Sequence, residues 1–452
     1  MPAFIHHPTC PSRLPFPLPV ALLLLAFSTA SLVRGAAPRE VNPALPSIPE
    51  RSFRVTDFGA APDGTEDGNT AAFAKAIAAV VQAGGGRLIV PAGVFRVGHI
   101  ELAGRLDLHL EKEARLLFST DPEAYRIKDR KFRPLVGASG VEDVAITGEG
   151  VLDGQGSAWW SEARKFKDAA RARGDANEEI GRPRLLVIEK SRRILLEAIT
   201  LTNSPQFHCV VSRSEDFTAR GVTVRAPEHA PNTDGIDPAA SRRVLITGCT
   251  FDTGDDCIAI KSGRPDSPVE DVLVEKCRFL RGHGMSVGSE TNGGLRNLIV
   301  RDCVFDGTDA GIRLKSPRGR GGLVENCTYE NLTMRNVGVA IYITSYYPER
   351  LMPKPGAAVS EPSIRDPNTP SWRNITIRNI TARDCRKSAG IIVALPEEPL
   401  DGLLLENVNI DAPLGLRIAC AQNVLMKNVN VKAANGPAYQ IEPSARVLVA
   451  KE

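Results

Sequence analysis

Apolar and polar residues alternate in a short block that returns again and again along the chain. Three copies align without gaps: RVLITGCTF (Arg243–Phe251), DVLVEKCRF (Asp271–Phe279) and NLIVRDCVF (Asn297–Phe305). Their offsets are 28 and 26 residues. Weaker copies begin at Asp143, Arg193 and Asp216 upstream, and at Asn331, Asn374, Gly402 and Asn423 downstream. Alternation at period two makes short strands. A strand unit recurring every two dozen residues, with Gly and Asn between copies, predicts a solenoid. The pattern therefore reads as an all-β fold, a single-stranded right-handed parallel β-helix. Equivalent positions on neighbouring rungs should lie about 4.8 Å apart. A propeller blade needs a longer period of roughly 40 residues.

One stretch departs from this period. Thr70–Gln82 is Ala-rich and amphipathic, with Asn69 or Thr70 as N-cap and Gly84–Gly86 as its stop. It predicts an N-terminal capping helix, within a cap of about residues 53–100, over the first coil. Two long gaps in the repeat, 154–183 and 350–371, read as inserted loops. They lie with or beside Trp159-Trp160 and Tyr346-Tyr347.

Composition changes the picture at the N-terminus. Residues 1–36 hold no Asp or Glu, two arginines and the apolar run Leu18–Phe27, followed by small residues. The run is too short to span a bilayer, and it predicts a secretory signal peptide. Residues 37–452 are then one catalytic domain of an exported protein, a monomer that does not touch the membrane after cleavage. Removing Arg13 and Arg34 lowers the formal charge from +3 to +1. Nothing global then favours nucleic acid. Eight cysteines follow Cys10, and Cys249, Cys277 and Cys303 share one repeat position. A ladder of buried thiols acting as small hydrophobes fits that position better than disulfides.

Candidate chemistry follows the repeat. Asp234 in PNTDGID and Asp255-Asp256 in TGDDCIAIKSG are 21 residues apart, about one coil. His283 in GHG lies 28 residues beyond Asp255, and Arg313 and Lys315 in GIRLKS lie 30 and 32 residues further. Successive rungs should present an acid, an acid pair, an imidazole and two cations. Arg313 and Lys315 are two apart and share a face. A regular strand would point Asp255 and Asp256 to opposite faces, so a turn or bulge is expected there. Clustered carboxylates beside cations suit hydrolysis of an acidic polysaccharide, with one acid protonating the leaving oxygen. Such carboxylates cannot all ionise cheaply, so at least one pKa should be raised. An acidic pH optimum is expected. A carbohydrate-binding solenoid without turnover is the reading of another class.

The four ordered motifs NTDG (Asn232–Gly235), GDD (Gly254–Asp256), GHG (Gly282–Gly284) and RLK (Arg313–Lys315) resemble glycoside hydrolase family 28, the polygalacturonases. Leu314 stands where the family has Ile. The resemblance runs from about Val55 to Val431 and is nearest to bacterial exo-acting members. It implies cleavage of α-1,4-galacturonosyl linkages with inversion, on polygalacturonate or an oligogalacturonate, with no metal or cofactor. It further implies Asp255 as general acid, with Asp234 and Asp256 activating water and His283 supporting the acid. Asn232, Arg313, Lys315 and Tyr347 are implied substrate contacts. A rhamnogalacturonan or xylogalacturonan hydrolase is the nearest alternative. A pectate lyase would instead require Ca²⁺.

Overall fold

The computed structural model describes residues 39–127, 131–174, 180–357 and 361–450. The expected signal peptide, 1–36, lies outside the described residues. The described residues wind into a parallel β-helix. Each central coil supplies three strands, as in Arg242–Thr247, Thr250–Asp252 and Ile258–Ile260. The first two belong to a bent sheet of 22 strands and the third to a sheet of 12 strands, in which consecutive coils lie side by side.

Inward residues explain the repeat. Val244, Ile246, Cys249, Phe251 and Ile258 are fully buried in one coil. Their counterparts stack from rung to rung. Phe251, Phe279 and Phe305 lie nearly parallel at centroid separations of 5.3 and 4.4 Å. Such pairs add about 0.5–1.5 kcal/mol each beyond the area they bury. Cys249, Cys277 and Cys303 form the thiol ladder, and the eight cysteines from Cys209 to Cys420 are unpaired and buried.

The polar part of the repeat marks corners. Coils bend at residues with left-handed backbone, among them Asn326, Asn331, Asn374, Asn379, Asn407 and Asn428. Asn tolerates this conformation better than most residues do. The side chains also link rungs: Asn379 Nδ2 donates to Asn331 Oδ1 at 3.0 Å, and Asn407 Nδ2 donates to Asn379 Oδ1 at 3.0 Å. These corners correct one alignment. The register pairs Glu325 with Arg373 and Cys327 with Ile375, so Asn326, not Asn331, is the counterpart of Asn374. Two left-handed corners five residues apart, each followed by apolar alternation, make the sequence resemble itself out of phase.

The N-terminal helix spans Glu66–Gln82, four residues longer than its apolar pattern implied. Thr65 is the N-cap, its Oγ1 accepting from Gly68 N at 3.2 Å. Asn69 is buried inside the helix and pairs with both backbone groups of Ala61. Phe73, Ala76, Ile77 and Val80 face the core, and Phe73 meets Phe95 edge-on at 6.3 Å. The second helix, Ser157–Ala172, comes from the first insertion. Its Trp160 packs on Ala226 and Ala230 and donates from Nε1 to Ser204 O at 3.0 Å. It thereby braces the loop leading to Asn232 and Asp234.

Candidate active site

Every candidate carboxylate and cation belongs to the edge or outer face of the 12-stranded sheet. Ile236, Ile258 and Met285 are in register across three strands. Two positions earlier on each rung stand Asp234, Asp256 and His283. The level partner of Asp234 is thus Asp256, with Asp255 one residue before it. The conflict between neighbouring aspartates disappears because both lie in the turn before strand Ile258–Ile260, not in a strand. That turn is tied to the previous rung, where Gly254 N donates to Thr233 Oγ1 at 3.0 Å.

One imidazole nitrogen meets both aspartates. His283 Nδ1 is 3.1 Å from Asp255 Oδ1 and 3.5 Å from Asp256 Oδ1. The flanking glycines of GHG are required by this placement. Gly282 and Gly284 have φ of +97° and +84°, and added Cβ atoms would lie 2.4 Å from Asp255 O and 2.1 Å from Ala310 O. His283 therefore enters the site between two backbone approaches that a side chain would block.

The cations lean back toward earlier rungs. Arg313 Nη1 donates to Asp256 Oδ1 at 2.5 Å and to Ser286 Oγ at 3.2 Å. Lys315 Nζ donates to the other oxygen, Asp256 Oδ2, at 2.9 Å, and lies 5.3 Å from the centroid of the Tyr347 ring. Asn232 has left-handed backbone, and its Oδ1 accepts from Arg182 Nη2 at 2.9 Å. The eight candidate residues thus converge, although not as a uniformly exposed stripe. Asp234 and Asp256 are buried beneath the surface, while Asp255 and His283 keep 21% and 33% of their side chains exposed.

Reading the sequence missed four contributors. Lys261 Nζ bridges Asp234 Oδ2 at 2.9 Å and Asp237 Oδ2 at 2.8 Å. Asp237 is itself buried. Ser286 donates from Oγ to Asp256 Oδ1 at 2.8 Å. His208 Nδ1 lies 2.9 Å from Asp234 O, and burial draws its pKa down to about 4, so it donates as a neutral ring. A signal existed for Lys261: it is two residues from Ala259, and Ala259 is level with Ser286 and Arg313.

The charges divide into two groups. Burial pushes the Asp255 and Asp256 carboxyls up, but adjacent cations outweigh it. His283 holds Asp255 down at about 2, while Lys315, Arg313 and His283 hold Asp256 well below the ordinary range. In return the two carboxylates overcome the burial of His283 and lift it to about 10, so the ring is an imidazolium. Asp234 and Asp237 share Lys261 as their ion-pair partner, and Arg184 acts more weakly on Asp237. Burial and the neighbouring carboxylates outweigh these cations, and both pKa values rise. Asp255, Asp256 and His283 also offer three metal-ligand atoms within 4.8 Å of one another. With both Asp256 oxygens already on cations, and Arg313 and Lys315 adjacent, charge repulsion opposes a divalent ion there.

The family model for "Glycosyl hydrolases family 28" matches residues 82–435. An endo-polygalacturonase of Pectobacterium carotovorum subsp. carotovorum is 31% identical over 360 residues, 75% of this chain and 81% of that protein. A polygalacturonase of Chamaecyparis obtusa is 30% identical over 373 residues, 81% of this chain and 68% of that protein. The crystal structure of a hyperthermoactive exopolygalacturonase from Thermotoga maritima superposes with a TM-score of 0.68 at 27% identity, covering 90% of this chain and 93% of that one. Fold, ordered motifs and likeness agree: the chain belongs to glycosyl hydrolase family 28 and is a glycoside hydrolase.

Proposed function

We propose that this protein hydrolyses α-1,4-galacturonosyl linkages of polygalacturonate with inversion, removing residues from a chain end. The observation that carries the reading is the meeting of Asp255 and Asp256 on His283, with Asp234 level with Asp256 on the preceding rung. Asp255, the most exposed of the three, is the general acid. In the free enzyme its proton resides 3.1 Å away on His283 Nδ1. As negative charge grows on the leaving oxygen, the imidazolium proton passes to Asp255 and from it to that oxygen, leaving His283 neutral and Asp255 ionised. Asp234, with its raised pKa, is the stronger base toward the attacking water. Asp256, held low by Lys315, Arg313 and His283, chiefly fixes Arg313 and Lys315 in place. The remaining donors of those two side chains attract a galacturonate carboxylate, with Tyr347 beside them and Asn232 at the edge of the site.

The insertion helix Ser157–Ala172, packed against the loop before Asn232, supports end-on action. So does likeness to the Thermotoga exopolygalacturonase. The apolar leader of residues 18–27 supports export to where pectin is found. Product analysis tests the mode. Tetragalacturonate should yield monomer and trimer first, with the new reducing end inverted when the anomers are followed by NMR. Early dimer would contradict end-on action, and a retained anomer would contradict inversion.

A further inference from the structure

The column that holds Asp234 continues toward the N-terminus. Leu186, Cys209 and Ile236 are in register, so Arg184, Phe207 and Asp234, each two positions earlier, occupy successive rungs. Backbone hydrogen bonds fix this level: Leu185 N donates to Phe207 O at 3.1 Å, and His208 N donates to Asp234 O at 2.8 Å. The half-buried Phe207 ring is contacted by two cations. Lys261 Nζ lies 4.1 Å from its centroid and Arg184 Cζ lies 5.0 Å from it.

The two cations differ in one respect. Lys261 is consumed by Asp234 and Asp237. Arg184 is half-buried and makes no ion pair among the described residues. Several arginines of the solenoid are paired across rungs, such as Arg193 with Asp143 and Arg243 with Asp216, both at 2.7 Å. A ring holds a guanidinium through its face and leaves the in-plane N–H donors unspent. Two rungs from Asp234, about 10 Å along the sheet, a guanidinium whose charge reaches Asp237 but which makes no ion pair among the described residues is therefore fixed beside the reaction centre.

We propose that Arg184 is a carboxylate receptor for a second uronate unit of the bound chain, beyond the sugar at the cleavage point, and that Phe207 is its positioning residue. The assignment rests on the acidic-polysaccharide reading above and adds a substrate contact to it. It also gives the site cationic groups on both sides of the catalytic aspartates, Arg184 on one and Arg313 with Lys315 on the other. A glycan with free carboxylates on successive units should therefore be preferred over one esterified at those units.

The test uses the full chain carrying Asp255→Asn, so that ligand is not consumed, and calorimetry with trigalacturonate and its methyl-esterified form. Adding Arg184→Ala should weaken trigalacturonate about 10- to 100-fold, as expected for loss of a charge-assisted bidentate pair. Binding of the ester should change less than about twofold on the same scale. Arg184→Lys, which keeps charge but loses the fork, should fall between and serves as the test if the alanine protein does not fold. In the active enzyme Arg184→Ala should raise KM more than it lowers kcat. Equal trigalacturonate affinity with and without Arg184 overturns this inference alone. Failure of the Asp255→Asn protein to bind either ligand overturns the functional reading beneath it.

Discussion

At the residue scale, the charge count of the site controls its pH response. Asp234 and Asp237 share one lysine; burial raises both, and the charge of Asp237 raises Asp234 further. A base must be ionised, so kcat/KM should rise as pH climbs through the raised pKa of Asp234. It should fall again as His283 loses its proton, which in the free enzyme occurs near 10. This bell reaches to higher pH than the simple acidic optimum expected from a protonated Asp255, because the two carboxylates raise His283 to about 10. Asp237→Asn removes a like charge and should move the acid limb to lower pH. A pH–rate profile checks this, and an unmoved or raised limb would contradict it. The aspartates, His283, Arg313 and Lys315 were legible in the sequence because repeat spacing and motif order coincide. Lys261, Ser286 and His208 were not. Their roles depend on which oxygen a long or buried side chain reaches, and spacing does not encode that. Nor did spacing show that Arg313 reaches back across two rungs to Asp256.

At the element scale, the strands were legible through their apolar alternation, while the corners were legible in composition but not in phase. The asparagine ladder supplies a stability prediction. Asn379 has left-handed backbone, donates to Asn331 and accepts from Asn407. Asn379→Ala loses both hydrogen bonds and places a Cβ residue without a compensating side chain in that conformation. It should cost about 1–3 kcal/mol. Asn379→Gly loses the same bonds but adopts the left-handed corner without steric strain, and should cost less in urea titration. Equal costs would mean that the hydrogen-bonded ladder, not the backbone, carries the effect. The helix starts earlier than its apolar pattern predicts for a local reason: Gly68 and the acidic residues before it conceal a first turn capped by Thr65.

At the scale of the whole molecule, function follows from winding. Residues from 232 to 347 reach one location only because each coil returns the chain to the same edge of the 12-stranded sheet. A segment outside the repeat spans several of these rungs: Arg39 meets Asp271, Ala44 N donates to Asp216, and Ser47 N donates to Asp143. Periodicity in the sequence could not reveal that crossing, since the segment has no repeat of its own. Metal-independent hydrolysis through Asp255 is tested by incubating wild-type and Asp255→Asn proteins with polygalacturonate, with and without chelator. We predict chelator-insensitive release of reducing sugar without unsaturated, ultraviolet-absorbing ends in the wild type, and at least a 1,000-fold lower rate, an order-of-magnitude expectation, in a variant that still binds the polymer. An unchanged rate in Asp255→Asn, or unsaturated products that require a metal, would contradict it.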